Sequence, residues 1–455
     1  MKAYDLKPTW DNLMRTFSED TIGRNSDISH FVRMLNAVED SCAIALEGNW
    51  GCGKTFFVKQ VKFVLDAYNA HTQAMENADR KQIQTTFSKY YKEDAEPCPQ
   101  VCVYYDAWEN DNDDDPILSL VYMILQSVQS DFSFKNSFCI ETAASILDFF
   151  TGKNWEQLVR AFKGEDPLSP LRQSKNIEQL VQKFLDSLLS ERGNRLVIFI
   201  DELDRCKPNY AVRLLERIKH YFSNDRITFV FSVNIAELQH TIKKHYGNDF
   251  DSSRYLDRFF DLRVTLPPAN IEKFYLSLQF NDFYYTYDII AGAVIKAYHF
   301  ELREIARYLR LLKIAASDPA YNRSSSSLFS SEKSLQFAIC YIIPIMIGLK
   351  ICDSQRYKLF IEGKDYKPLI EISDAVHIRY FEELLNQGES YYQNNNEKDT
   401  VVSLENKLRN VYDAIFADKI GEEPYVDIGN MRFTKEMKEK LLRIDGLFSH
   451  YTHIE

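Results

Sequence analysis

Residues Gly48, Asn49, Trp50, Gly51, Cys52, Gly53, Lys54 and Thr55 reproduce the spacing GxxxxGK[ST]. Glycines at these positions let successive backbone N–H groups turn inward around phosphate oxygens. A helix opening at the end of such a loop adds its positive pole to the same anion. Lys54 is then placed to reach the β- and γ-phosphates and the Thr55 hydroxyl to ligate Mg²⁺. The pattern occurs by chance in unrelated chains, so its flanks matter. Here the apolar run 41–48 precedes it, and Phe57, Val61, Val64 and Leu65 follow at helical spacing.

A second cluster completes the chemistry of phosphoryl transfer. The run 195–204 is continuously apolar until it ends in Asp201, Glu202 and Asp204. An acid at the carboxyl end of a sheet strand stands where α/β folds bind ligands and can hold Mg²⁺. Glu202, directly after it, can polarise an attacking water. Asp204 is its substitute or helper, or a solvated loop acid. Asn234 ends the next apolar run and either orients the same water or forms a turn. Arg258 is either an arginine finger for a neighbouring subunit's nucleotide or the partner of Asp257 or Asp261. Arg303, Arg307 and Arg310 share a helix from which one could touch phosphate. The acidic run Asp111, Asp113, Asp114 and Asp115 lacks the glycine and distal glutamate of an EF-hand, which leaves it the lead-in of a helix with Pro116 at its first position.

These groups need a scaffold of strands delivering them to one edge. Apolar runs at 41–48, 101–108, 195–204, 226–234 and 259–268, the last stopped by two prolines, alternate with helical patterns, which predicts a mostly parallel sheet. Runs without polar alternation predict strands buried on both faces. Residues 176–189 predict an amphipathic helix through Ile177, Leu180, Val181, Phe184, Leu185 and Leu188. After about residue 270 the strand signal fades and helices dominate. The segments 322–333 and 387–399 are low-complexity linkers or loops.

The chain has 455 residues, 45% hydrophobic and 27% charged, enough for two or three soluble globular domains. Its net charge of −11 argues against a nucleic-acid translocase, and no basic stretch is interleaved with aromatics. Cys98 and Cys102 have no second pair to make a zinc site, so the eight cysteines are expected as free thiols of a reducing cytoplasm. The first residues carry no apolar signal-peptide region. Residues 334–349 are apolar but short for a membrane span and interrupted by Gln336 and Pro344, so a buried helix is expected.

The segments 20–28, 45–57, 104–120, 197–208 and 255–268 together resemble the KAP P-loop NTPases, the family named for Kidins/ARMS and the plasmid phage-exclusion protein PifA. The aromatic strand ending in Ala107-Trp108 and the Asp204-Arg205-Cys206 after the acids carry more of the likeness than the P-loop does. The resemblance covers roughly residues 15–320. It implies an additional-strand, AAA/STAND-like α/β core that binds ATP, and the helical patterns after about residue 270 add a helical lid and a mostly helical C-terminal region. The expected division is 1–268 for the core, with helical insertions at about 70–100 and 112–190, then 269–320 for the lid and 321–455 for the remainder. Many members of the family carry transmembrane helices between the two phosphate motifs, and this chain has no such run there. Relatives often have aspartate where Glu202 stands. Bacterial relatives are associated with defence against phage.

The expected function is a Mg²⁺-dependent, cytoplasmic ATPase acting as a switch or remodeller, with self-association or a protein effector as partner. The alternative is a nucleotide-binding scaffold with weak hydrolysis that recruits a partner through its C-terminal region.

Overall fold

The computed structural model describes residues 7–131, 181–278, 285–316, 330–376, 385, 404–417 and 425–446, except positions 73, 74, 94, 114, 187, 191, 223, 430 and 435. The expected insertion at 112–190 is therefore described only at its two ends, segment 322–333 only from residue 330, and 387–399 not at all. The chain divides into two compact units, one spanning Lys7–Asn270 and one beginning at Ile271.

Five parallel strands form the centre of the first unit: β1 (Cys42–Glu47), β2 (Gln100–Asp106), β3 (Arg195–Asp201), β4 (Ile227–Val233) and β5 (Leu262–Thr265). Their order across the sheet is β2-β3-β4-β1-β5. Every residue of β4 is buried, as are six of the seven in β3, which is what an uninterrupted apolar run produces when helices cover both faces. Alternate side chains then feed two cores. Val103, Ile198, Ile200, Phe229 and Phe231 pack on one side with Ile117, Val181, Phe184, Leu214 and Leu238. Ile44, Leu46, Val197, Phe199 and Val230 pack on the other with Phe17, Phe31, Val58 and Val61.

Helices α1 (Trp10–Ser18), α2 (Asn25–Ala37), α3 (Lys54–Tyr68) and α4 (Asn77–Phe87) contribute to the second of these cores. Helices α5 (Pro116–Asp131), α6 (Pro208–Tyr221) and α7 (Ile235–Tyr246) contribute to the first. Residues 181–186 and 188–190 are helical, in the stretch whose spacing predicts a helix. Asp115, the last of the acidic run, caps α5, its carboxylate accepting the Ile117 N–H at 2.9 Å. A short helix, α8 (Ser252–Leu256), leads into β5. Because β4 lies between β1 and β3, the strand before the P-loop and the strand bearing Asp201 open onto one edge, with the end of β4 between them.

In the second unit, α9 (Ile271–Ser277), α10 (Tyr285–Ala297) and α11 (Leu302–Ala315) precede α12 (Ser330–Phe337), a π-turn over Ala338–Ile342, and α13 (Ile343–Cys352). Lys333–Cys352 is one helix long and apolar enough to cross a membrane by length and composition, yet 72% of its apolar window is buried within the protein. It is the core of this unit: α10, α11, α15 (Lys367–Ala375) and α17 (Glu436–Gly446) all contact α13. Tyr308 donates to the Pro344 carbonyl at 3.1 Å. Helices α14 (Ser354–Ile361) and α16 (Leu404–Ile415) complete the helical part. An antiparallel pair, β6 (Tyr425–Ile428) and β7 (Met431–Thr434), adds two strands to a region expected to be mostly helical.

Candidate nucleotide site

The loop between β1 and α3 has the backbone its glycines permit. Gly51 and Gly53 adopt φ of 86° and 93°, which side-chain-bearing residues rarely tolerate. A Cβ on Gly48 would lie 2.8 Å from the Cys52 sulfur, so the first glycine is required by close approach. Lys54 is buried, and its ammonium donates to the carbonyls of Gly48 at 2.6 Å and Asn49 at 3.1 Å. Its charge thus sits against the loop rather than in solvent. Thr55, in the first turn of α3, is half-buried. The Gly48 N–H donates to the Val233 carbonyl at 3.2 Å, which ties the loop entrance to the end of β4.

Asp201 ends β3 with 1% of its surface exposed. Its two oxygens accept the Tyr104 hydroxyl at 2.9 Å and the Glu202 N–H at 3.1 Å. Asp106 of β2 is its direct neighbour in register. Burial raises the proton affinity of Asp106, and so does the charge of Asp201. Thr55 and Asp201 offer hard oxygen donors, the chemistry that suits Mg²⁺ with several retained waters. Among the described residues no group of three or more His, Cys, Asp or Glu side chains is arranged to hold a metal ion by itself.

Glu202 has a left-handed backbone, φ 59° and ψ 22°, at the start of a 3₁₀ turn over Leu203–Arg205. Its carboxylate pairs with Arg205 Nε at 2.5 Å. Burial pushes its pKa up to about 7, Asp201 adds to the rise, and Arg205 opposes it. Asp204 is buried and accepts the Trp50 indole N–H at 2.6 Å. Its pKa is raised by burial and held back by that bond and by Lys54. The bond joins the P-loop directly to the acid turn.

Asn234 caps α7, its side-chain oxygen accepting from Ala236 N at 3.1 Å and Glu237 N at 3.4 Å. The turn-forming reading is therefore satisfied, and its amide nitrogen is still a donor at the end of β4. Arg258 is exposed between α8 and β5. The acids named as its ordinary partners are engaged elsewhere: Asp257 pairs with Arg263 at 2.5 Å, and Asp261 accepts the Ala43 N–H at 2.8 Å. No ion pair of Arg258 occurs among the described residues. Arg303, Arg307 and Arg310 are exposed on α11 of the second unit.

Three contributors had no role in the sequence reading. Arg24, inside the segment 20–28, is buried and donates to the carbonyls of Cys52 at 2.8 Å and Pro267 at 2.6 Å, bracing the P-loop against the exit of β5. Tyr104 orients Asp201. Arg205 pairs with Glu202. The invisible part was distance: Arg24 lies 243 residues from Pro267, and Tyr104 lies 97 from Asp201.

The profile of the KAP family P-loop domain matches residues 24–287, more than half of the chain. The chain belongs to the KAP family. Membership in this P-loop domain family implies nucleotide binding. A 76-residue stretch is 36% identical to the uncharacterized protein MJ0182 of Methanocaldococcus jannaschii, covering 16% of this KAP chain and 39% of the archaeal protein.

Proposed function

We propose that this KAP protein is a cytoplasmic, Mg²⁺-dependent ATPase whose core is of the additional-strand, AAA/STAND-like kind, and that it works as a nucleotide-driven switch or remodeller in bacterial antiphage defence. One observation carries the reading: the 2.6 Å bond from Trp50 to Asp204 joins the P-loop to the acid turn, which supports assigning phosphate binding and water activation to neighbouring groups. Lys54 and the loop amides bind the phosphates. Thr55 and Asp201 hold the metal, which neutralises charge on the phosphate oxygens when bound. Glu202 polarises water, and Asn234 offers its amide nitrogen to it.

Arg258 is the cation supplied to a neighbouring copy, since its nearby acids are already paired and an arginine delivered in trans contributes about 10³–10⁵ in rate where it is used. The test is hydrolysis of Mg·ATP by the full-length chain. Arg258→Ala and Glu202→Gln proteins, each inactive alone, should regain activity when mixed. A mixture that stays inactive while the chains associate sinks the trans role. A wild type that binds Mg·ATP without turnover sinks the ATPase itself. Phage plating on cells expressing wild type or Lys54→Ala tests the defence role, which fails if both protect equally.

A further inference from the structure

The Arg205 guanidinium is held by groups from three separate parts of the chain. Its carbon lies 5.7 Å from the centre of the Trp50 ring in the P-loop and 5.6 Å from that of Trp108, at the exit of β2. Its Nε meets Glu202 Oε2 at 2.5 Å. Both tryptophans are large and substantially exposed, 46% and 53%. Indole faces within about 6 Å of a guanidinium attract it, and a flat cation between two of them loses orientational freedom. Both residues are anchored. The Trp50 indole donates to Asp204, while at Trp108 it is the backbone that is anchored, its N–H and that of Glu109 both donating to Asp106 Oδ1 at 3.1 Å.

An ordinary i,i+3 ion pair on a surface would have little effect. This one is 24% and 18% exposed on its two sides and its cation has a fixed attitude. The pair engages Oε2. The left-handed backbone at Glu202 sets where the side chain starts, and Arg205 sets where it ends.

We propose that Arg205, clamped by Trp50 and Trp108, is the positioning residue that fixes the Glu202 carboxylate for hydrolysis. The inference rests on the ATPase reading above. Arg205 does not touch the reacting atoms. It acts through Glu202, and it links the attitude of that carboxylate to the P-loop, because one side of its clamp is a P-loop residue.

The experiment is a double-mutant cycle on the full-length protein with Mg·ATP, using Arg205→Ala, Glu202→Gln and the combination. Binding is followed by calorimetry and folding by thermal melting. Arg205→Ala should keep its nucleotide Kd and lower kcat by about 10- to 10²-fold, the range that misplacing a reacting partner produces. On the Glu202→Gln background the same change should cost nothing further, because the group it positions is already disabled. Trp108→Leu should lower kcat by less than Arg205→Ala does, and Trp108→Phe should recover most of that loss by restoring a ring face.

If wild type turns over and Arg205→Ala matches it in kcat, the inference is overturned while the ATPase stands. Additive losses in the double mutant overturn it too, since Arg205 would then act elsewhere. So does a loss that appears in Kd rather than kcat, which would make Arg205 a binding group. A wild type without turnover overturns both readings.

Discussion

The two units bury polar groups in opposite ways. In the P-loop unit, Lys54, Asp201 and Asp204 gather at one edge of the sheet, from chain segments about 150 residues apart. Their charges are of mixed sign and incompletely neutralised, and burial raises the proton affinity of Asp204 and Glu202. In the second unit the main buried acid is matched where it stands. Asp445, 1% exposed, meets Lys350 Nζ at 3.2 Å and accepts the Tyr357 hydroxyl. The acids at the P-loop edge are held by neutral donors, the Tyr104 hydroxyl, the Glu202 N–H and the Trp50 indole, whereas Asp445 has a cation of its own and leaves only its Oδ1 without a hydrogen bond.

The largest effect expected on this contrast is at Lys54. Lys54→Ala removes the ammonium that lies against the Gly48 and Asn49 carbonyls and should abolish measurable Mg·ATP binding in calorimetry, with little change in melting temperature. Wild-type affinity would mean the charge at the loop serves the fold.

Lys350→Ala should do the reverse. It leaves Asp445 buried without its cation, a cost of about 3–5 kcal/mol in denaturant unfolding of the second unit. Nucleotide affinity should be unchanged wherever the protein is folded, and a parallel fall in affinity would break the contrast between the units.

Next, Glu202→Gln should preserve affinity and lower kcat by about 10²-fold or more, since an amide cannot draw a proton from water. If Asp204→Asn gives the larger loss, the two acids exchange roles. The smallest expected effect separates the two uses of Asn234. Asn234→Ala removes the cap of α7 and should cost about 1 kcal/mol of stability. A fall in kcat at a temperature well below the melt would show that its amide also reaches the reacting water, and unchanged kcat would confine it to the cap.

The sequence showed the P-loop, the acid strand and the alternation of strands and helices because each is local. Spacing from Gly48 to Thr55 dictates a loop, and an unbroken apolar run such as 227–233 dictates a strand buried on both faces. Burial of 334–349 was legible from its length and from Pro344 and Gln336. The brace from Arg24 was not legible, because it depends on where β5 ends relative to the P-loop. The ion pair of Glu202 was close in sequence, yet it followed only from a turn that no propensity signalled. The β6–β7 pair was missed for a similar reason: each strand has four residues, too short for alternation to stand out from a helical pattern.

The left-handed backbone at Glu202 bears on which residues the position can accept. Holding a residue with a long side chain at φ 59° costs about 1–2 kcal/mol, a cost that Gly, and to a lesser degree Asn or Asp, would relieve. Only Asp among these keeps a carboxylate, and its shorter stem ends nearer the backbone. Position 202 is thus a place where mutational drift toward stability runs against activity. A screen for thermostable variants would be expected to recover Gly or Asn at 202 as folded, nucleotide-loaded and inactive proteins.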